Sequence, residues 1–243
     1  MDFKVPLQKA TLLKRYKRFL ADVVPENSDE TITIHCANTG SMLNCFVPNG
    51  EIWYEPSQDP SRKTKGSWTL STTPQGRTAC INTHLANALV EEALNNGIIT
   101  ELTGFTRLKR EVKYGTENSK IDFYLEYADG RIVYLEVKSV TLGFEDGNIA
   151  AFPDAVTTRG AKHLRELMNI QSDTTEAYIL YCVNLSGIEG VRVASEIDAA
   201  YASAFDEAVC EGVKPLVYGT TMDESGISIT HRLPFVGASD NVG

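Results

Sequence analysis

The stretch "IDFYLEYADGRIVYLEVKS", Ile121–Ser139, limits what this chain can fold into more than any other. Alternating apolar and polar residues flank an Asp-Gly turn signal, the pattern of two antiparallel strands. Side chains alternate faces along a strand, so Ile121, Phe123 and Leu125 share one side, and Asp122, Tyr124 and Glu126 the other. In the second strand Glu136 and Lys138 point together, opposite Val133, Leu135 and Val137. The turn decides whether Asp122 meets Glu136. A two-residue Asp129-Gly130 loop pairs Ala128 with Arg131 and turns Asp122 away from Glu136. A three-residue loop, Ala128-Asp129-Gly130 with Gly left-handed, pairs Tyr127 with Arg131 and sets the two acids opposite one another. The sequence admits both.

An arbitrary Glu-x-Lys on a strand is ordinarily explained by a wet sheet face. Here Val133–Val137 resembles a strand buried on both sides. Two ionised carboxylates sharing such a place repel each other and lose hydration unless a cation compensates. A hard divalent ion with oxygen ligands, Mg²⁺ or Mn²⁺, removes that conflict, with Asp122 and Glu136 as its ligands. Lys138 then stands beside the ion, placed to orient a water or to stabilise negative charge on a phosphate.

The rest of the chain divides into two parts. Up to about residue 80, short alternating strands such as "TITIHCAN" are separated by Gly- and Pro-containing loops, which predicts a small β-barrel or sandwich. The pattern changes at "INTHLANALVEEALNNG", where Asn82 or Thr83 can start a helix and Asn96-Gly97 can end it. The boundary is placed near Thr78–Ile81, giving domains 1–80 and 81–243. The second reads as helix, three strands, helix, strand, helix and a last or edge strand, "KPLVYGT". "AYILYCVN" is apolar enough to be a central strand, and the tail "GASDNVG" reads as disordered.

The 243 residues carry a formal charge of −9, which argues against coating nucleic acid through bulk electrostatics. Basic residues nonetheless cluster at Lys14, Arg15, Lys17 and Arg18, at Arg62, Lys63 and Lys65, and at Arg107–Lys113. The five cysteines lack CxxC spacing and read as reduced thiols. With no membrane span and no secretory signal, the expected location is the cytoplasm. The oligomeric state is left open, a homodimer included.

An Asp ending one strand and Glu-x-Lys in the next resemble the PD-(D/E)xK nuclease motif. That fold commonly adds an acid from the preceding helix. Glu92, at the edge of the apolar stripe of Leu85 and Leu89, is the first choice, with Glu91 as fallback; the plain alternative is a solvated helix residue. More specific are the strings "LLKRYKRFLADV", "NTGSM", "RKTKGSWTL", "GTENSKIDFYLE", "LEVKSVTL" and "AFPDAVTTRGAKHLREL". Together, from Leu12 to about Phe235, they resemble the sugar fermentation stimulation protein family, SfsA. Lys120 stands where that family often has Arg.

The resemblance implies an all-β OB-like barrel followed by an α/β PD-(D/E)xK nuclease-like domain with a mixed sheet. It also implies non-sequence-specific DNA binding and an association with the regulation of sugar, notably maltose, metabolism. Matched by motif, Asp122, Glu136 and Lys138 form the nuclease core, with Glu111 as an auxiliary acid. Arg159 and His163, one helical turn apart, would contact phosphate or assist the leaving group, unless they are an exposed charged face. In "KRYKRF", Lys14, Arg15, Lys17 and Arg18 alternate with Tyr16 and Phe19, offering charge and stacking to DNA, with Arg62 and Lys63 beside them. The competing reading makes Tyr16 and Phe19 core residues of an early strand. Asp154 is a remote candidate ligand.

The functional expectation is a Mg²⁺-dependent phosphodiester-hydrolysing DNA-binding protein. The alternative is a non-enzymatic DNA-binding regulator that uses the nuclease fold as a scaffold.

Overall fold

Five strands close into a barrel. In the computed structural model, which describes residues 1–237 apart from Thr39, Asn118 and Asp146, these are β1 (Gln8–Tyr16), β2 (Leu20–Pro25), β3 (Ile32–Cys36), β4 (Glu51–Pro56) and β5 (Gly66–Thr72), with β6 (Thr78–Cys80) appended. The order is β3-β2-β1-β4-β5-β6, and parallel pairing of His35–Cys36 with Ser67–Trp68 brings β3 against β5. Alternation drives the closure: Leu12, Val23, Ile34, Ile52 and Trp68 all point inward and are fully buried. Trp68 donates its indole N–H to the Leu70 carbonyl at 2.9 Å, so the ring packs in the core without losing a hydrogen bond. Residues 238–243, which carry most of the tail expected to be disordered, lie outside the described residues.

The second domain opens with α1 (Leu85–Asn95), followed by β7 (Phe105–Tyr114), β8 (Ser119–Tyr127), β9 (Ile132–Val140) and β10 (Ile149–Phe152). Then come α2 (Thr158–Asn169), β11 (Thr175–Val183), β12 (Gly190–Val193), α3 (Ala199–Cys210), β13 (Lys214–Met222) and β14 (Ile227–Arg232). The main sheet runs β14-β13-β11-β9-β8-β7. It is mixed: β11 lies parallel to both β9 and β13, and the outer pairs are antiparallel. β10 and β12 form a separate parallel pair.

As expected for a central strand, β11 is buried on both faces. Tyr178, Leu180 and Cys182 point to the α1 side, and Ala177, Ile179, Tyr181 and Val183 to the α2–α3 side. Two expectations need correction. "KPLVYGT" lies inside the sheet, because β14 folds back antiparallel and takes the edge. The first residues do not belong with the barrel: Asp2 bridges Gly226, and Phe3 donates to the Ser225 carbonyl at 2.9 Å.

The two domains share one apolar cluster, in which Ile34, Trp68 and Met42 join Val140, Leu164 and Tyr181. Polar stitches reinforce it. Ser41 Oγ donates to Asp154 Oδ2 at 2.9 Å, Met42 N to the same oxygen at 3.2 Å, and Asn44 Nδ2 to the Gly143 carbonyl at 3.0 Å. Asp154 is thus an anchor for the barrel loop rather than a metal ligand. No described helix is long and apolar enough to cross a membrane.

Candidate active site

The hairpin resolves in favour of the three-residue loop. Tyr127 N donates to the Arg131 carbonyl at 2.9 Å, and Gly130 adopts φ +89°, a conformation that suits glycine. The resulting register pairs Phe123 with Leu135, and one step further sets Asp122 across from Glu136. The ladder stops at that point. Asp122 has no rung with β9, and the β7–β8 register skips from Arg110↔Phe123 to Val112↔Ile121. The Val137 N–H is bound instead by Asp122 Oδ2, at 2.8 Å. β8 therefore peels from β9 at the residue that carries the acid.

Glu136 sits on the α2 side of the sheet, in register with Ile179, and is 3% exposed. Lys138 Nζ donates to its Oε1 at 2.8 Å, and His163 Nδ1 lies 2.5 Å from the same oxygen. Arg159 Nε donates to His163 Nε2 at 3.3 Å, so Nε2 is the acceptor and Nδ1 carries the proton that Glu136 accepts. Burial opposes ionisation of Glu136, but the Lys138 ammonium and the His163 hydrogen bond outweigh it, holding the carboxyl at about 2. The compensation expected from a metal ion is thus partly supplied by Lys138 and His163. The second oxygen of Glu136, Oε2, is buried and has no hydrogen-bond partner among the described residues.

Asp122 responds in the opposite direction. Burial first, then the negative charge of Glu136, push its carboxyl above the usual range, against the pull of the Val137 N–H and Asn87. Asn87 Nδ2 donates to Asp122 Oδ1 at 2.8 Å. The Tyr114 hydroxyl is buried close by without a partner. Burial raises it most, followed by the charges of Glu136, Glu166 and Asp122.

Asp122, Glu136, Lys138, His163 and Arg159 therefore come together, while two expected acids do not. Glu92 binds the Met1 ammonium at 2.9 Å, and the fallback Glu91 pairs with Arg110 at 2.8 Å. The helix contributes an amide, Asn87, where an acid was expected. Its sequence signal is a polar side chain between the buried Ala86 and Val90. Glu111 adopts φ +53° and turns outward toward Lys120, 3.9 Å away, so it is not an auxiliary acid of this centre.

α2 holds its two side chains in place by a Thr157 cap, whose Oγ accepts from Gly160 N at 2.9 Å. A Cβ at Gly160 would stand 3.0 Å from the Tyr201 ring, so glycine lets α3 pack closely here. Behind the site, the buried Glu166 accepts from Glu117 N at 2.6 Å. It thereby ties α2 to the β7–β8 turn. Glu166 carried no signal in the sequence beyond its place on α2.

The basic hairpin of the barrel is built differently. Arg15 donates to three backbone carbonyls, Arg18, Asn38 and Gly40, each at 3.0 Å. Lys14 pairs with Asp22 at 3.3 Å and lies over the Tyr16 ring, whose hydroxyl also donates to Asp22 at 3.0 Å. Lys17 and Arg18 occupy the turn at positive φ, with Phe19 exposed beside them. Arg62 donates to Ser67 Oγ at 3.1 Å, and Lys63 is exposed. Arg15 is a structural tie of the barrel hairpin, a role its assignment to the DNA surface did not anticipate.

Among the described residues, no group of three or more His, Cys, Asp or Glu side chains is arranged to hold a metal. What the centre offers is the free oxygen of Glu136 and the spare lone pairs of Asp122, hard donors of the kind that Mg²⁺, Mn²⁺ or Ca²⁺ accept alongside water and phosphate.

Comparison with known proteins fits this architecture. Residues 13–81 match the SfsA N-terminal OB domain, and residues 84–226 match the sugar fermentation stimulation protein RE domain. The sugar fermentation stimulation protein homolog of Pseudomonas entomophila is 62% identical, covering 96% of this chain and 98% of its own length. The homolog from Pseudomonas syringae pv. syringae is 58% identical over 98% and 99%. The structure of Pyrococcus furiosus SfsA in complex with Ca²⁺ superposes with a TM-score of 0.84 at 26% identity, covering 97% of each chain. With both domain models matched in order, and relatives this similar along nearly their whole length, the chain belongs to the sugar fermentation stimulation protein family.

Proposed function

We propose that this protein hydrolyses phosphodiester bonds in DNA at the Asp122–Glu136–Lys138 centre, with Mg²⁺ or Mn²⁺ as cofactor. One observation carries the proposal: a buried, ionised Glu136 with an unpartnered Oε2 lies across a ladder break from Asp122. A fold gains no stability from leaving a buried carboxylate oxygen bare, so a ligand for that oxygen is the economical explanation. The Ca²⁺ bound by the Pyrococcus furiosus relative supports a hard divalent cation. Asp122 and Glu136 would hold the ion, which when bound supplies a Lewis acid and a more acidic water. Lys138 places a positive charge where a phosphate gains negative charge, and His163 fixes the orientation of Glu136. Asn87 and the Val137 N–H fix Asp122.

Incubation of plasmid or single-stranded DNA with Mg²⁺ or Mn²⁺ tests this. Cleavage should require the metal and disappear in Glu136→Ala. Equal nicking by both proteins would trace the activity to contamination and end the proposal.

A second reading is a non-enzymatic DNA-binding regulator, acting on sugar metabolism as the family name suggests and on maltose metabolism as the sequence resemblance implies. Its support is that Lys138 and His163 already bind Glu136, so the centre holds together without an ion. It predicts salt-sensitive DNA binding that a chelator leaves unchanged, with no cleavage.

A further inference from the structure

A cleft of about 390 Å³ opens beside the carboxylate centre, between the start of α1 and the end of β9. Its polar lining is Thr83, His84, Asn87, Arg110, Lys138 and Ser139, with no carboxylate among the lining residues. Two of these touch the catalytic acids directly: Asn87 holds Asp122, and Lys138 holds Glu136. The cleft is thus the vestibule of the centre, and every polar side chain lining it can donate a hydrogen bond. His84, the N-cap of α1, makes no side-chain cap, so its imidazole is not used by the helix.

The cleft abuts the barrel: Thr83 Oγ1 donates to the Ala37 carbonyl, just past β3, at 3.4 Å. A smaller cavity of about 80 Å³ shares Thr83 and Ser139 and reaches Asn38 at the end of the barrel loop.

From this juxtaposition we infer that the cleft seats a nucleotide phosphate next to the scissile one, held by His84, Arg110 and Lys138, on a strand that continues toward the barrel loop at Ala37 and Asn38. The inference rests on the hydrolytic reading for the word scissile, but not for binding. A volume near 390 Å³ suits one nucleotide rather than a duplex segment. Arg110 is held by Glu91 on one side and lies over the Phe123 ring, which leaves its guanidinium fixed rather than free to wander.

The test uses the full chain with chelator present, so that hydrolysis plays no part. Titration calorimetry with thymidine 5′-monophosphate should show binding, with inorganic phosphate competing. Thymidine, which lacks the phosphate, should bind about tenfold more weakly or worse. His84→Asp is the informative variant. A negative charge suits a helix start and the side chain is exposed, so the thermal midpoint should hold while nucleotide binding falls by about tenfold or more. Arg110→Gln should lower binding in the same direction.

The inference fails if thymidine binds as well as its monophosphate. It also fails if neither binds, or if both variants bind like wild type. The hydrolytic reading fails separately. A protein that binds the monophosphate yet never cleaves DNA keeps this cleft and loses that chemistry. One whose His84→Asp variant cleaves at full kcat/KM keeps the chemistry and loses the cleft.

Discussion

Two regions of this molecule look equally charged in sequence and are built on opposite principles. In the barrel hairpin, Lys14 and Tyr16 converge on Asp22, and Arg15 binds three carbonyls. Most of that positive charge is used within the hairpin or on the neighbouring loop. In the second domain, Glu136, Lys138 and His163 lie on three faces of one buried point, and an oxygen is left over. Exposed ionic contacts are individually weak and cost little to arrange, whereas a buried carboxylate must be compensated in full. A dense run of basic residues therefore says less about function than a single acid in the interior.

The largest expected effect breaks the second region. Glu136→Ala should lower metal-dependent DNA cleavage by about a thousandfold, read from plasmid nicking. The same change leaves Lys138 half-buried without its partner, so urea unfolding should show a loss of about 2 kcal/mol. Full activity with full stability would mean that the centre described here does nothing.

Acid titration sharpens the contrast next. Glu136 is held at about 2 against an ordinary value of 4.5, so its stabilisation is complete above pH 4.5 and is lost as pH falls toward 2. Across that window wild type should lose on the order of 3 kcal/mol more stability than Glu136→Gln, which keeps only the losses of the other depressed carboxylates such as Asp22 and Glu101. Asp122, raised from 3.8, works in reverse: it favours the folded state below 3.8 and loses that effect as pH rises through its folded value. Urea midpoints from acid to neutral pH separate the two through Glu136→Gln and Asp122→Asn.

The barrel gives the smaller effects. Arg15→Met should cost about 2 kcal/mol in chemical unfolding, because three backbone carbonyls lose their donor. A loss of DNA affinity with unchanged stability would restore Arg15 to the binding surface. Lys17→Gln with Lys63→Gln should move stability by less than about 0.5 kcal/mol. If each lysine meets one phosphate, the double change should lower the slope of log affinity against log salt by about two.

Much of the fold was legible because its signals are local. Alternation marked the barrel strands, a continuous apolar run marked β11, and Gly130 in its left-handed turn set the register that puts Asp122 across from Glu136. The sequence admitted a second loop length. Only the Tyr127–Arg131 pairing chose between them. The misreadings share a different cause. Glu92 looked free on a helical wheel because its partner is the chain's own first residue, held in place through strands more than two hundred residues away. Asn87 went unnoticed because a polar residue on an apolar stripe reads as noise until Asp122 arrives beneath it. Motif matching placed Glu111 beside the core, but its positive φ, which turns it outward, leaves no trace in the residue order.

The loop from Ala37 to Cys45 has one more consequence. Fastened at Asp154, Gly143 and Thr141 and bedded in a core common to both halves, it ties the barrel to the sheet at several points. On the hydrolytic reading proposed above, a polynucleotide reaching Lys138 would then have to supply the bending itself, and frayed or single-stranded ends should be cleaved ahead of a stiff duplex.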